Sequence, residues 1–304
     1  MLKKLRLKRA KRREEMLYRY RAVEMGMYLQ SQALNSKRSG IGNIKDQEIV
    51  VSLTSFPARI NDVYLTIESL FQQSLQADRV ILWLSEENFP NGEKELPEIL
   101  LKQKERGLEI EFVAGDLGPY KKIIYSLERF PQALIITFDD DVLYPVDAID
   151  LLYRAYIRQP GVIHCHRGHR MLHSTSGSLQ SYQNWEMSIQ TSSAAYDIFP
   201  TGIGGVLYFP GALDECVFDR EIFQALAPNG DDIWLKAMSL KKGVPCKPVE
   251  DERPWKSRLL MIEGSQEVSL TKENKSKSKG NDSKIEAVFD HFQLWDQLKA
   301  PYGK

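Results

Sequence analysis

From residue 48 onward the chain alternates short apolar runs with helical stretches, and this alternation constrains the fold more than any other feature. The runs at 49–54 (IVVSLT), 79–85 (RVILWLS), 108–114 (LEIEFVA) and 133–138 (ALIITF) have the length and composition of strands. Between them, residues 61–73, 95–106 and 120–130 carry apolar side chains at helical spacing, with Asn61 placed to cap the first. The fourth run is apolar on both faces, as a strand inside a covered parallel sheet must be. The pattern predicts an α/β fold with a mostly parallel sheet flanked by helices. Ligands of such sheets bind at the carboxyl ends of the strands, so residues just after Thr54, Ala114 and Phe138 are the first candidates for a site.

Beyond Tyr144 the pattern predicts a helix at 147–159, a strand at 161–166 and an irregular polar region at 167–200. A Gly-rich loop then enters a strand at 202–209 (GIGGVLYF), and helices follow near 219–226 and 232–242. Residues 271–282 (TKENKSKSKGND) are low in complexity and read as a loop. Apolar residues from Ile285 to Leu298 predict one last helix over 283–298, with Asn281-Asp282 placed to cap it. Residues 1–36 read as a helix broken by Gly26.

The 41 basic and 41 acidic side chains cancel, which argues against a chain built to coat nucleic acid. The balance hides a division. Residues 1–22 hold ten Lys/Arg against two Glu, a local charge of +8, and the remainder carries −8. Such a segment reads either as a solvated helix packed on the body of the protein or as a basic segment attracted to an anionic membrane surface. Cys165, Cys216 and Cys246 are too few and scattered for a disulfide framework, and no run reaches the ~18 apolar residues of a membrane span. A cytoplasmic protein, peripheral at the inner face of the cell membrane, is the expectation.

Asp139-Asp140-Asp141 follow the fourth strand directly. Three adjacent carboxylates at a strand end repel one another and lose hydration unless a cation or basic group sits among them. In extended backbone Asp139 and Asp141 point the same way and can share a divalent ion, with Asp140 turned elsewhere. Hard oxygen ligands suit Mg²⁺ or Mn²⁺.

This strand ending in DDD is preceded by Asp116-Leu-Gly-Pro-Tyr-Lys-Lys-Ile-Ile and followed by Thr201-Gly-Ile-Gly-Gly-Val-Leu-Tyr and Asn229-Gly-Asp-Asp-Ile-Trp. Together these segments resemble a bacterial glycosyltransferase of the GT-A type, close to the family 2-like enzymes of surface-polysaccharide (capsule or lipopolysaccharide) assembly. The resemblance covers 48–298, leaving a basic helical extension at 1–47 and a tail at 299–304. It implies a Rossmann-like GT-A domain with a nucleotide-sugar half at 48–145 and an acceptor half at 146–298. It also implies a nucleotide-sugar donor, with a UDP-sugar expected, and a saccharide or lipid-linked saccharide acceptor.

The resemblance further assigns residues. Asp141 and Asp139 would hold Mn²⁺ or Mg²⁺, Asp139 and Asp140 would contact the donor, and His291 would complete the metal shell as the one late histidine. Thr54, Ser55 and Arg59 would bind the nucleoside, Asp116 the base or ribose, and Lys122 the phosphates or ribose, with Lys121 an equally basic neighbour. Gly204 and Gly205 would let backbone approach the donor sugar. In similar inverting enzymes an acidic pair at the start of a helix supplies the base, which here points to Asp232, with Asp231 as helix cap or acceptor contact. Partial burial raises a carboxyl pKa toward neutrality and suits it to that role.

His164, Cys165, His166, His169 and His173 form the densest group of soft ligands, but their spacing fits no structural zinc pattern, and packing at the strand end or lining the acceptor cleft is expected. Two other classes compete. Phosphoryl-transfer enzymes of the HAD type also place acids after an apolar strand, but their motif follows the first strand, whereas this cluster follows the fourth, with Leu143 after Asp141-Val142. A nucleotide-sugar-binding protein without catalysis has no use for the second acidic pair.

Overall fold

The computed structural model describes residues 2–42, 46–265, 280–300 and 302. The low-complexity run lies, up to residue 279, outside the described residues. The elements in chain order are α1 (Leu2–Asn35), β1 (Ile49–Thr54), α2 (Val63–Phe71), β2 (Arg79–Ser85), α3 (Glu98–Lys104), β3 (Leu108–Val113), α4 (Lys121–Arg129) and β4 (Leu134–Thr137). They continue with β5 (Val142–Leu143), α5 (Ala148–Arg158), β6 (Ile163–Cys165), β7 (Gly168–Arg170), β8 (Ile198–Pro200), β9 (Val206–Tyr208), α6 (Arg220–Leu226) and α7 (Asp231–Lys242). The last are β10 (Cys246–Pro248), α8 (Trp255–Arg258), β11 (Leu260–Met261), α9 (Asn281–Phe292) and α10 (Trp295–Lys299).

Seven strands form one sheet in the order β10-β6-β9-β4-β1-β2-β3, parallel except for β9, which runs against both β4 and β6. This is the α/β architecture expected: a mostly parallel sheet between two helical layers. Alternate residues of β1 and β4 enter opposite cores, Val50 and Ile135 on one side, Val51 and Ile136 on the other. Two-faced burial explains why these runs contain almost no charge.

α1 runs unbroken through Gly26, contrary to the expected interruption. An isolated glycine costs a helix only about 1 kcal/mol, and Ala22, Leu29 and Ala33 bury a stripe against the body that outweighs it. The stripe packs on α2, α3, β5 and β11. At the other end, the single helix expected over 283–298 is two, because Gln293 takes a left-handed conformation (φ 55°) that ends α9 and turns the fully buried Leu294 into the core. Three expected caps also differ. Gly280 precedes α9, so Asn281 and Asp282 are its first two residues and not its cap. Asp62 rather than Asn61 precedes α2, and Gly230 precedes α7, which leaves Asp231 and Asp232 as its first two residues.

Candidate active site

The carboxyl ends of β1 and β4 meet the N-terminus of α7 across the loop 201–205. The chain does not stay extended through the acidic triplet; it turns at Asp140-Asp141 before β5. The three carboxylates therefore do not alternate as in a strand but separate onto two basic partners. Arg59 pairs with Asp140 at 2.6 Å and Asp141 at 3.1 Å. Lys122 pairs with Asp139 at 2.7 Å and with Asp231 at 3.0 Å. The repulsion inferred from sequence is relieved by side chains of the protein itself.

Asp140 is fully engaged: Ser55 Oγ donates to Oδ2 at 2.6 Å and Arg59 to Oδ1 at 2.6 Å. Burial pushes its pKa up, while the Arg59 guanidinium and the Ser55 hydroxyl pull it back down, and the 2.6 Å contact with Arg59 is the geometry of a charged pair. From α2, Thr66 Oγ1 lies 3.0 Å from the Asp140 carbonyl and 2.9 Å from that of Val142, pinning the turn. Tyr144 fixes Asp139 by accepting its backbone N–H at 3.0 Å, with its hydroxyl 3.2 Å from the Ile203 carbonyl. Lys122 is buried, which favours loss of its proton, but Asp139, Asp231 and Asp232 outweigh burial and hold its pKa well above the usual value.

Asp232 accepts the Gly202 N–H on both oxygens, at 3.0 and 3.2 Å. Burial and the neighbouring Asp231 push its carboxyl up to about 8, with Lys122 pulling the other way. A side chain at position 202 would meet Asp139 Oδ1 and Asp232 Oδ1 at 3.2 Å and Lys122 Nζ at 3.3 Å. Gly202 thus marks the point where the triplet, the cation and the second acidic pair converge. The GIGG run signalled it, but the sequence could not say which glycine faced the carboxylates. Gly204 and Gly205 are instead needed for packing: a Cβ would lie 2.8 Å from His166 Cβ at the first and 2.3 Å from the Phe138 ring at the second, where φ is +97°.

The remaining expected residues are distributed as follows. Thr54 donates its hydroxyl to the Trp83 carbonyl at 2.8 Å, within the sheet. Asp116 is exposed after β3; burial pushes its pKa up, but Lys121, the Gly118 N–H and Asn88 bring it below the usual range. Its loop reaches the α7 entry, since a Cβ on Gly118 would lie 2.8 Å from Asn229 Oδ1. His291 is not brought to the triplet. It is exposed on the last turn of α9, edge-on to Phe292 at 4.6 Å. The histidines in and just after β6 pack beside α5: His164 and His166 bond the carbonyls of Gln159 (3.0 Å) and Ala148 (2.8 Å) at its two ends. Burial lowers His166 and His169 to about 4, so both are neutral.

Among the described residues no three His, Cys, Asp or Glu side chains gather into a metal cage. The donor set fits a hard cation in a narrower sense. Mg²⁺ and Mn²⁺ are commonly held through one or two carboxylates together with ligand phosphates. Asp139 and Asp141 are the two of the triplet that would hold such an ion, although each is paired with a side-chain cation here, Lys122 and Arg59 respectively, while Asp140 is engaged by Ser55 and Arg59. Sequence reasoning missed two further residues. Arg167 and Tyr182 both lie within the field of Asp232 and come from the polar region where no geometry could be assigned.

No family model matches the chain, and no curated protein matches it. Among solved structures it is similar to the mannosyltransferase PcManGT from Pyrobaculum calidifontis in complex with GDP-Man and Mn²⁺, at a TM-score of 0.42 and 11% identity, covering 80% of this chain and 69% of that one. It is also similar to HddC from Yersinia pseudotuberculosis, at a TM-score of 0.32 and 13% identity, covering 57% and 79%. Both likenesses are distant.

Proposed function

We propose that the chain is a metal-dependent glycosyltransferase that moves a sugar from a nucleotide donor, a UDP-sugar, to a saccharide or lipid-linked saccharide of surface-polysaccharide assembly. The convergence of Asp139, Lys122 and Asp232 on the side-chain-free position 202 carries this reading. Two acidic groups with different partners meet at one small space, as a reaction with a leaving phosphate and an attacking hydroxyl requires. Bound Mn²⁺ or Mg²⁺, held by Asp139 and Asp141, would supply positive charge to the departing nucleoside diphosphate. Arg59 and Lys122 keep these carboxylates separated and oriented. In the same reading Thr54, Ser55, Asp116 and Asp140 border the nucleoside, residues 48–145 form the donor half and 146–298 the acceptor half.

Asp232 is the base. The acceptor oxygen attacks the anomeric carbon as the carbon–phosphate oxygen bond breaks; its proton passes to an Asp232 oxygen, and the configuration inverts. A carboxyl raised toward neutral pH is still ionised in part and basic enough to take that proton. The Gly202 N–H holds the carboxylate in place. A thermal-shift screen of UDP, GDP and CMP sugars with and without Mn²⁺ tests the reading: metal-dependent stabilisation by one nucleotide class is expected, with Asp141→Ala abolishing it. Phosphatase activity on simple phosphomonoesters, or binding without turnover, would refute it.

The outward face of α1 supports peripheral attachment to an anionic membrane from the cytoplasmic side. No helix of the described residues is long and apolar enough to cross a membrane. Opposite the buried stripe, Met16 (64% exposed), Tyr20 (66%), Val23 (44%), Met27 (68%) and Leu34 (48%) follow heptad spacing along one face, beside the +8 segment. Co-flotation with vesicles containing phosphatidylglycerol, lost on deletion of residues 1–22, is the expected result.

A further inference from the structure

Arg167 follows β6, and its guanidinium is held on two sides. Its carbon lies 5.2 Å from the centroid of the Trp255 ring, and its Nε donates to Ser188 Oγ at 3.2 Å. Its own backbone leads to the base. The Arg167 carbonyl accepts the Thr201 N–H at 3.0 Å, and the next residue, Gly202, gives its N–H to Asp232. Among the described residues no carboxylate lies within 4.0 Å of this guanidinium, and its two terminal nitrogens have no acceptor. Arg59 and Lys122, by contrast, are committed to the triplet.

A half-buried guanidinium without a counter-ion is unusual, because desolvating a charge is unfavourable unless it is paired. Trp255 supplies a flat face for the cation, and the terminal nitrogens remain as a fork matched to a carboxylate or phosphate. Of the site's carboxylates, Asp232 is the one to which the Arg167 backbone is tied, through Thr201 and Gly202. The cation therefore belongs with the attacking hydroxyl and not with the triplet.

We propose that Arg167, laid on Trp255, binds an anionic group on the acceptor saccharide, a uronate carboxylate or a phosphate, beside the hydroxyl that Asp232 deprotonates. This rests on the transferase reading given above. The acceptor is thereby assigned to the acidic saccharides, and Arg167 is a positioning residue that sets which hydroxyl faces the base.

Calorimetric titration of the full chain, saturated with UDP and Mn²⁺, with a glucuronate-containing hyaluronan tetrasaccharide and with neutral chitotetraose tests the assignment. The wild type should favour the anionic probe. Arg167→Gln should lose about ten- to a hundred-fold of that affinity, the range for a charged hydrogen bond, while chitotetraose affinity and UDP affinity stay unchanged. Arg167→Lys should restore part of the preference, which separates charge from packing. Loss of UDP affinity in Arg167→Gln would instead place the oxyanion on the donor diphosphate and overturn the acceptor assignment. Equal binding of the two probes by wild type would also overturn it. If wild type binds no nucleoside diphosphate at all, the transferase reading fails on its own, and the two saccharide titrations still report on Arg167.

Discussion

Asp232→Asn tests the electrostatics of the site with no ligand present. An unfolded chain titrates this carboxyl near a pKa of about 3.9, whereas burial and Asp231 push it up to about 8 in the folded protein. A carboxyl with a raised folded pKa weakens the fold as it ionises. The penalty is absent below the unfolded pKa, grows as pH rises and is complete above the folded pKa. Each pKa unit of difference is worth about 1.4 kcal/mol. Asp232 is partly open to solvent, so half of the difference is taken, which gives about 3 kcal/mol at pH 9. Asparagine has the same shape, does not ionise, and still offers Oδ1 to the Gly202 N–H. The variant should exceed wild type by only about 1–2 °C in Tm near pH 5 and by about 6 °C at pH 9, at roughly 2 °C per kcal/mol for a chain of this size. Differential scanning fluorimetry of both proteins from pH 5 to 9 in metal-free buffer reads this directly. Parallel Tm curves across that range, or a less stable variant at pH 9, would refute the argument that Asp232 is buried against its charge.

Other expectations follow from the same geometry. Transfer by wild type should fall as pH drops below the raised Asp232 pKa, and Asp232→Asn should abolish it while leaving metal-dependent nucleotide binding intact, as pH–rate profiles and calorimetry would show. Lys122→Met leaves Asp139 and Asp231 without their shared cation and should destabilise the fold by about 3–5 kcal/mol in urea titration. Gly202→Ala meets only carboxylate and ammonium tips at 3.2–3.3 Å, so it should fold with little change in Tm yet lose most transfer in a donor-consumption assay. Gly205→Ala places a Cβ 2.3 Å from the Phe138 ring at a φ of +97° and should cost about 2 kcal/mol or more, read as a lower urea midpoint.

Much of the site was legible because it lies where an α/β sheet puts its ligands, at the strand ends after β1 and β4 and at the start of α7. Ser55, Arg59, Lys122, the acidic triplet and the pair at 231–232 do meet there. What could not be read was which groups share a partner. The triplet was expected to alternate as a strand does, and it turns instead. One of the two residues expected to cap α7 is held by a loop 30 positions upstream. Gly202 looked no different from Gly204, and Arg167 sat in a stretch without periodicity, so nothing local distinguished either. His291 drew attention by being the only late histidine, but the rotation of α9 leaves it exposed.

The sequence by itself determined the sheet, since apolar runs of strand length between amphipathic helices have few ways to bury both faces. It also determined that acids would crowd a strand end and that the charge would divide between an N-terminal segment and the body. Only the tertiary structure decided how that crowding is relieved, through Arg59 and Lys122, and which carboxyl is left raised toward neutral pH. Local pattern governs burial because burial follows periodicity. Ionisation is governed by the distances between charges brought together from residues 59, 122, 139, 202 and 232, and those distances exist only in the folded chain.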